Sequence, residues 1–138
     1  MRLTTRSRYG TRLVLDIALH QDKGWVNTTD IARRQKISQK YIEKLITGLR
    51  RSGLLDSKRG PFGGHKLAKP ATDITVGDVV RALEEKVVLT QCSEGEPICG
   101  ECSLAGECVT QFVWIEAGNV LMETLDRYHL SDLVSRKG

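Results

Sequence analysis

The segment from residue 37 to residue 53 constrains the fold more than any other, because it contains a strongly patterned helix with a marked start and end. Its apolar residues recur at the spacing i, i+3, i+4 and i+7, which forms one buried stripe on a helix. These residues are Ile42, Leu45, Ile46 and Leu49. Ser38 is placed to cap the N-terminus, with Ile37 before it positioned as a hydrophobic staple. The pattern predicts a helix over Gln39–Arg51 that Gly53 ends as a C-cap.

The elements around this helix indicate how it is used. Helical spacing predicts a first helix over residues 5 to about 20 and a short helix over residues 29–34 that Thr28 caps. Residues 54–58 and 65–67 read as two short strands around a glycine-rich turn. Two helices joined by a tight turn and followed by a hairpin are typical of a winged helix-turn-helix, whose second helix enters the DNA major groove. The expected fold is mainly α with a small β-hairpin.

The charges divide the chain near residue 70. Residues 1–70 contain 16 Lys and Arg against 5 Asp and Glu, a net charge of +11, whereas residues 71–138 contain 5 against 12, a net charge of −7. A basic N-terminal part favours a polyanion as partner, since each phosphate that a Lys or Arg neutralises releases a condensed counterion. We therefore expect residues 1–70 to be a DNA-binding domain for double-stranded DNA.

The polar side chains of the patterned helix and of the hairpin turn are the candidate DNA contacts. The helix offers Gln39, Lys40, Tyr41, Glu43 and Lys44. On an isolated helix such residues would be an ordinary solvated face, but a preceding short helix and a following wing favour DNA reading. A carboxylate facing phosphates is costly unless it accepts from a cytosine amino group or rejects other bases, so Glu43 is expected to discriminate sequence.

The turn of the hairpin contains an arginine followed by glycines, Arg59 to Gly64. It could be no more than a tight turn with a surface charge. A nucleotide phosphate site is disfavoured, because no Lys-Ser/Thr pair follows the glycines. Insertion of Arg59 into the minor groove, where the potential is most negative, fits better.

The C-terminal part is predicted to hold a cysteine loop, residues 84–107, and a dimerisation helix, residues 106–126. Thr75 and Asp78 form a capping box that opens a short helix ending at Leu83. The later helix has two apolar faces. One has Val109, Val113 and Val120, and the other has Trp114, Ala117, Leu121 and Leu125. One small core cannot bury both faces, so the second is expected to pack against another copy of the chain.

Four cysteines fall within 17 residues, at the spacing Cys92-x6-Cys99-x2-Cys102-x5-Cys108. This matches neither a zinc ribbon nor the usual ferredoxin runs. The intervening glycines let the backbone wrap one centre, and a position in the first turn of a helix would stabilise the Cys108 thiolate. An iron-sulfur cluster, zinc, a thiol or disulfide switch and inert cysteines all remain open from the residues alone.

Several motifs together resemble the IscR-like, Rrf-type family of bacterial winged-helix regulators over almost the whole length. The matching segments are Met1-Arg2-Leu3-Thr4 with Arg8-Tyr9, Ile37-Ser38 with Tyr41-Ile42-Glu43, Arg59-Gly60-Pro61 with Gly63-Gly64, Val76-Gly77-Asp78-Val79, and Cys108 followed by Trp114. The resemblance implies a cytoplasmic dimer that carries an iron-sulfur cluster and controls transcription. It also implies DNA contacts through Ser38, Tyr41 and Glu43 and, at the wing, through Arg59 with the adjacent Gly60.

The cluster ligands implied by the resemblance are three cysteines and a histidine three residues after the last. Cys92, Cys102 and Cys108 fit the cysteines, but Gln111 stands at the histidine position and Cys99 is an additional thiol. Gln is a poor iron ligand beside imidazole, so Cys99 is the expected fourth ligand, with Gln111 as a weak substitute. The resemblance favours a [2Fe-2S] cluster, and zinc is the alternative metal.

The combined hypothesis is a dimeric DNA-binding regulator whose cysteine loop senses iron-sulfur or redox status. Loop occupancy would favour one separation of the two recognition helices. A small redox or electron-transfer protein is the rival outside this class, but no nucleophile-base pair emerges from the three histidines. No apolar run approaches the roughly 18 residues needed to span a bilayer, so a cytoplasmic protein without a membrane partner is expected.

Overall fold

The computed structural model describes residues 5–84 and 109–137 of the 138-residue chain. These residues form mainly α-helices with one small antiparallel hairpin, as the sequence predicts. The helices are α1 (Thr5–His20), α2 (Thr28–Gln35), α3 (Gln39–Arg51), α4 (Val76–Leu83), α5 (Gln111–Asp126) and α6 (Leu130–Lys137). The strands are β1 (Leu55–Lys58) and β2 (Gly64–Leu67), and short 3₁₀ turns occupy Gln21–Lys23 and Ala71–Asp73.

The helix-turn-helix consists of α2 and α3. Ser38 caps α3 as predicted, because its Oγ accepts a hydrogen bond from the Tyr41 backbone N–H at 3.2 Å. The cap of α2 was predicted one residue too late: the Asn27 side chain, not that of Thr28, accepts from the Asp30 N–H at 2.8 Å. Lys36 takes the left-handed conformation, with φ of 56°, and ends α2 in the tight turn between the helices.

Helix α3 spans Gln39–Arg51 as predicted, but its C-cap lies one residue before the predicted Gly53. Ser52 is the C-cap, and Gly53 follows it with a left-handed φ of 78°. Glycine at this position is the common helix ending, because the left-handed conformation strains other residues. The Leu54 N–H then donates to the Leu49 carbonyl at 3.0 Å, which leads the chain from α3 into the hairpin.

The hairpin is the predicted wing. Its register pairs Leu55 with Leu67 and Lys58 with Gly64. A single bridge joins it to the segment before α2, where Val26 and His65 exchange backbone hydrogen bonds of 3.0 and 2.8 Å. The wing is therefore joined to the segment before the helix-turn-helix near its turn, one residue pair from the closing Lys58–Gly64 pair.

One hydrophobic core contains residues from both sides of the predicted boundary at residue 70. Its fully buried large side chains include Leu13, Ile17, Ile31, Ile42, Leu45, Leu49, Leu55, Ile74 and Leu130. The division into residues 1–70 and 71–138 stays a prediction about function. In packing, α4 lies against α1, α3 and α5, and α6 lies against α1.

The C-terminal helices complete this core, and one of them is not predicted by the sequence pattern. The Thr75–Asp78 capping box is present, with both hydrogen bonds at 3.0 Å. Helix α6 was not predicted; Leu130 begins it, is fully buried, and donates its N–H to the Ile74 carbonyl at 2.9 Å. Helix α5 begins at Gln111, so the expectation that Val109 is already helical is wrong.

No helix among the described residues is long and apolar enough to cross a membrane.

Candidate nucleic-acid interface

The first half of α3 presents a polar face to solvent. Ser38, Gln39, Lys40, Glu43 and Lys44 are all exposed. The opposite side of the helix is fixed by its buried apolar stripe, so this face cannot rotate inward without exposing that stripe. Amide, ammonium and carboxylate groups therefore stand together on a rigid helix, which is the chemistry that base-edge and phosphate contacts require.

Tyr41 occupies a different position from its neighbours on α3. It is only partly exposed and packs against the core. Its ring meets the ring of Tyr9 edge to face, with centroids 6.0 Å apart and an interplanar angle of 85°. The Arg12 guanidinium lies 5.2 Å from the centroid of the Tyr9 ring. The Tyr41 ring therefore joins α3 to α1.

A buried carboxylate fixes α2 on α1, and sequence reasoning did not find it. Asp16 of α1 is buried and accepts from the Arg34 guanidinium at 2.7, 3.0 and 3.3 Å. Its Oδ2 also accepts from the Gln35 side-chain amide at 2.8 Å. The hydrogen bond to Asp16 raises the pKa of Arg34. An acidic residue between Leu13 and Ile17 on the inward side of α1 was the available signal.

The tip of the wing depends on glycines at specific places. Gly60 has φ of 108°, which side chains rarely adopt, and its carbonyl accepts from the Gly63 N–H at 3.0 Å. A Cβ on Gly63 would lie 2.0 Å from the Lys58 carbonyl oxygen. The tight turn places Arg59 and Gly60 in solvent, where the sequence analysis expected an exposed cation.

His65, one residue pair from the turn of the wing, connects the hairpin to the helix-turn-helix. Its Nδ1 lies 2.7 Å from the Ser57 Oγ on β1, and its Nε2 lies 3.1 Å from the Thr28 Oγ1 on α2. Burial lowers the pKa of His65, and the charge of Arg50 lowers it further. A neutral imidazole therefore bridges the two hydroxyl groups near neutral pH.

The end of α4 contacts both α1 and α3. A Cβ on Gly10 of α1 would lie 2.1 Å from the Leu83 Cδ1, and one on Gly48 of α3 would lie 3.3 Å from the Leu83 Cδ2. The buried Ser7 hydroxyl donates to the Glu84 carboxylate at 2.7 Å. Glu84 directly precedes residues 85–108, which contain all four cysteines and are called the cysteine segment below.

Helix α5 exposes four of its large apolar side chains. Gly118 is its only buried residue among those described. The exposed large apolar side chains at and before this helix are Val109, Phe112, Val113, Trp114 and Val120. The C-terminal end of α5 is fixed to α4, because the Arg81 guanidinium donates to the Asp126 carboxylate at 2.5 and 2.9 Å. This ion pair lowers the pKa of Asp126.

The candidate cluster ligands Cys92, Cys99, Cys102 and Cys108 lie outside the described residues. Gln111 is described: it is the first residue of α5 and is partly buried. Within residues 5–84 and 109–137, no three His, Cys, Asp or Glu side chains come together in a way that could hold a metal ion.

The fold and this surface define a class of protein. A helix-turn-helix followed by a two-stranded wing, with cationic side chains on the second helix and on the wing, is the architecture of winged-helix DNA-binding proteins. The model of the Rrf2 family, described as iron-dependent transcriptional regulators, matches residues 3–136. The chain belongs to this family of transcriptional regulators.

Known relatives and solved structures agree with this assignment. Protein rrf2 of Nitratidesulfovibrio vulgaris is 48% identical over 97% of this chain and 87% of its own length. The structure of T. potens IscR has a TM-score of 0.78 and 33% identity, and covers 100% of this chain and 89% of its own. The structure of CymR, the global cysteine regulator of B. subtilis, has a TM-score of 0.78 and 28% identity, with 99% and 98% covered. The family resemblance is confirmed, and the family consists of regulators rather than redox enzymes.

Proposed function

We propose that this transcriptional regulator binds double-stranded DNA as a homodimer and senses iron-sulfur status through a cluster held by its cysteine segment. The observation that carries the proposal is that an exposed, polar recognition helix and a cationic wing share one rigid core with α4. The cysteine segment follows α4 directly. The core that holds the recognition helix and the wing therefore includes the helix that precedes the cysteines in the chain.

In the proposed complex, α3 lies in the major groove. Lys40 and Lys44 pair with phosphates, Gln39 contacts a base edge, and Glu43 accepts from a cytosine amino group or rejects other bases. Ser38 caps the helix and so supports its N-terminal end, which is the end that reads bases in this class of motif. At the wing, Arg59 enters the minor groove, where the exposed turn at Gly60 lets the backbone approach DNA.

The exposed apolar surface of α5 supports the homodimer. A monomeric soluble protein rarely exposes a continuous set of large apolar side chains. A second copy would cover the face that contains Phe112, Val113 and Val120 with the same face of its own helix, as two-fold symmetry requires. The two recognition helices would then bind half-sites separated by about one turn of the DNA helix, roughly 34–36 Å.

The chemistry of the donor set supports the cluster. Cysteine thiolates are the ligands that iron-sulfur clusters take, and Cys92, Cys99, Cys102 and Cys108 supply four of them within one short segment. The family description as iron-dependent regulators and the likeness to T. potens IscR point the same way. Of the two candidates for the fourth ligand, we favour Cys99 over Gln111, and a [2Fe-2S] cluster over other forms. A bound cluster would add an electron acceptor whose charge changes with its redox state.

A thiol switch is the second candidate for the sensor. It is favoured by the likeness to CymR, whose structure from Staphylococcus aureus is also known in an oxidised form. Four thiols allow three disulfide connectivities. Zinc held by the same thiolates is a further outcome that a metal analysis would reveal.

Anaerobic purification of the full chain distinguishes these sensors. Iron, sulfide and zinc are quantified on one sample alongside the visible absorption spectrum. Matched iron and sulfide with thiolate-to-iron absorption bands are expected. Cys99→Ser should then weaken cluster retention strongly, while Gln111→Ala should leave it almost unchanged. A colourless protein that resists reconstitution would refute the cluster, and a change in DNA affinity on thiol oxidation of that metal-free protein would establish the thiol switch instead.

DNA binding is tested separately on duplexes that the wild-type chain selects from a random pool. Lys40→Glu and Arg59→Glu should each abolish measurable binding, because each places a carboxylate against phosphates. The matched control is Lys137→Glu on α6, since this residue lies at the far end of the chain from α3 and the wing. Equal losses in all three variants would show a general charge effect and refute the assigned interface.

A further inference from the structure

The tip of the wing carries an aromatic side chain that the core does not use. Phe62 is 85% exposed, the largest exposed fraction among the large apolar side chains of the described residues. Burying a phenyl ring is one of the largest single contributions a side chain makes to a core or an interface. An exposed Phe at this position is therefore available to a binding partner.

The backbone around Phe62 is fixed before any partner arrives. The turn closes through the hydrogen bond from the Gly63 N–H to the Gly60 carbonyl. Gly63 lies so close to the Lys58 carbonyl that no Cβ fits there. A ring held on a closed turn loses little conformational freedom when it binds.

The charges of the wing favour DNA over a protein surface as this partner. Residues 57–69 contain four cations and no carboxylate. The cations are Lys58, Arg59, Lys66 and Lys69. Such a surface is attracted to phosphates and repels the same surface of a second copy.

We propose that Phe62 inserts into the minor groove of double-stranded DNA beside Arg59, as an apolar wedge that selects flexible base steps. The inference rests on the proposed DNA-binding function and adds a specificity-determining residue to it. Apolar side chains that enter the minor groove partly unstack a base step and bend the duplex towards the major groove. Pyrimidine-purine steps unstack most readily, so Phe62 would favour TA or CA steps where the wing reaches the DNA.

The test uses the full chain and the tightest duplex that it selects from a random pool. Phe62→Ala should weaken binding about tenfold and reduce the bend measured by fluorescence energy transfer between the duplex ends. The salt dependence of DNA binding by Phe62→Ala should equal that of the wild type, because no charge is lost. Arg59→Ala is the matched control: it should lower the salt slope by about one unit for each wing in contact with DNA. Phe62→Leu, which keeps an apolar wedge, should retain most of the bend.

Three results would overturn the inference. Equal affinity and bend for Phe62→Ala and wild type would show that the ring stays in solvent. A change in oligomeric state with unchanged DNA affinity would assign Phe62 to a protein contact. If the wild-type chain selects no duplex at all, the proposed function fails and the wedge fails with it; the first two results leave that function intact.

Discussion

The ion pair between Asp16 and Arg34 predicts that removing one of the two side chains destabilises the fold more than removing the other. Both Asp16→Ala and Arg34→Ala remove the hydrogen bonds from the Arg34 guanidinium to Asp16, and Asp16→Ala also removes the one from the Gln35 amide. The two side chains differ in burial, however: Arg34 is 27% exposed and Asp16 is 1% exposed. We therefore expect Arg34→Ala to destabilise the fold more than Asp16→Ala.

The magnitude follows from what each variant leaves behind. Asp16→Ala removes charge-assisted hydrogen bonds worth about 1.5–3 kcal/mol each, but water reaches the remaining guanidinium and offsets part of the loss. A net loss of about 2–3 kcal/mol results. Arg34→Ala leaves a buried carboxylate without its guanidinium, with the Gln35 amide 2.8 Å and the His20 Nδ1 3.6 Å away. Breaking a buried pair in this way costs about 3–5 kcal/mol.

Urea unfolding of the two variants and of the double variant measures the difference. The double variant should be more stable than the sum of the two losses predicts, because neither partner is then left alone. The slope of the unfolding free energy against urea concentration should be the same for the wild type and the three variants, so that the urea midpoints report stability. A larger loss for Asp16→Ala than for Arg34→Ala would refute the reasoning, since the exposed partner would then be the one that tolerates isolation less.

Three further predictions concern the wing, the helix contacts and α5. The pKa of His65 is lower in the folded protein than its unfolded value of about 6.5, so its contribution to stability is present above that pH and is lost as the pH falls below it. The melting temperature should therefore fall towards pH 5, and that of His65→Gln should fall less. Gly10→Ala should destabilise by about 1–3 kcal/mol through overpacking against Leu83, whereas Gly48→Ala, with its nearest contact at 3.3 Å, should be nearly neutral in urea unfolding. Val113→Glu on the exposed apolar face of α5 should shift the chain to a monomer in sedimentation; a Val113→Glu dimer would contradict the α5 interface.

The elements that the sequence predicted well have local signals. Helix α3, its Ser38 cap and the capping box before α4 are determined by residues within one or two turns of each other. The wing follows from glycines between short apolar segments. Helix ends were displaced by a residue where two polar neighbours competed for the cap, as Asn27 and Thr28 do.

What the sequence did not reveal depends on distant parts of the chain. Asp16 and Arg34 are 18 residues apart and meet only after α1 and α2 pack. Helix α6 is only eight residues long and is positioned by the hydrogen bond from the Leu130 N–H to the Ile74 carbonyl. In the interface, the exposed polar positions of α3 could be read from its apolar stripe, but the partial burial of Tyr41 against Tyr9 could not.

The close packing of Leu83 against Gly10 and Gly48 has a consequence for how any signal could travel. Leu83 of α4 packs against the backbone of α1 at Gly10, where no methyl group fits, and against α3 at Gly48, so α4 cannot slide along α1 without displacing it. In a dimer, the distance between the two recognition helices could then change only by rotation of whole protomers. Scattering or distance measurements between labels would register an effector as a change between protomers, while distances within each protomer stayed constant.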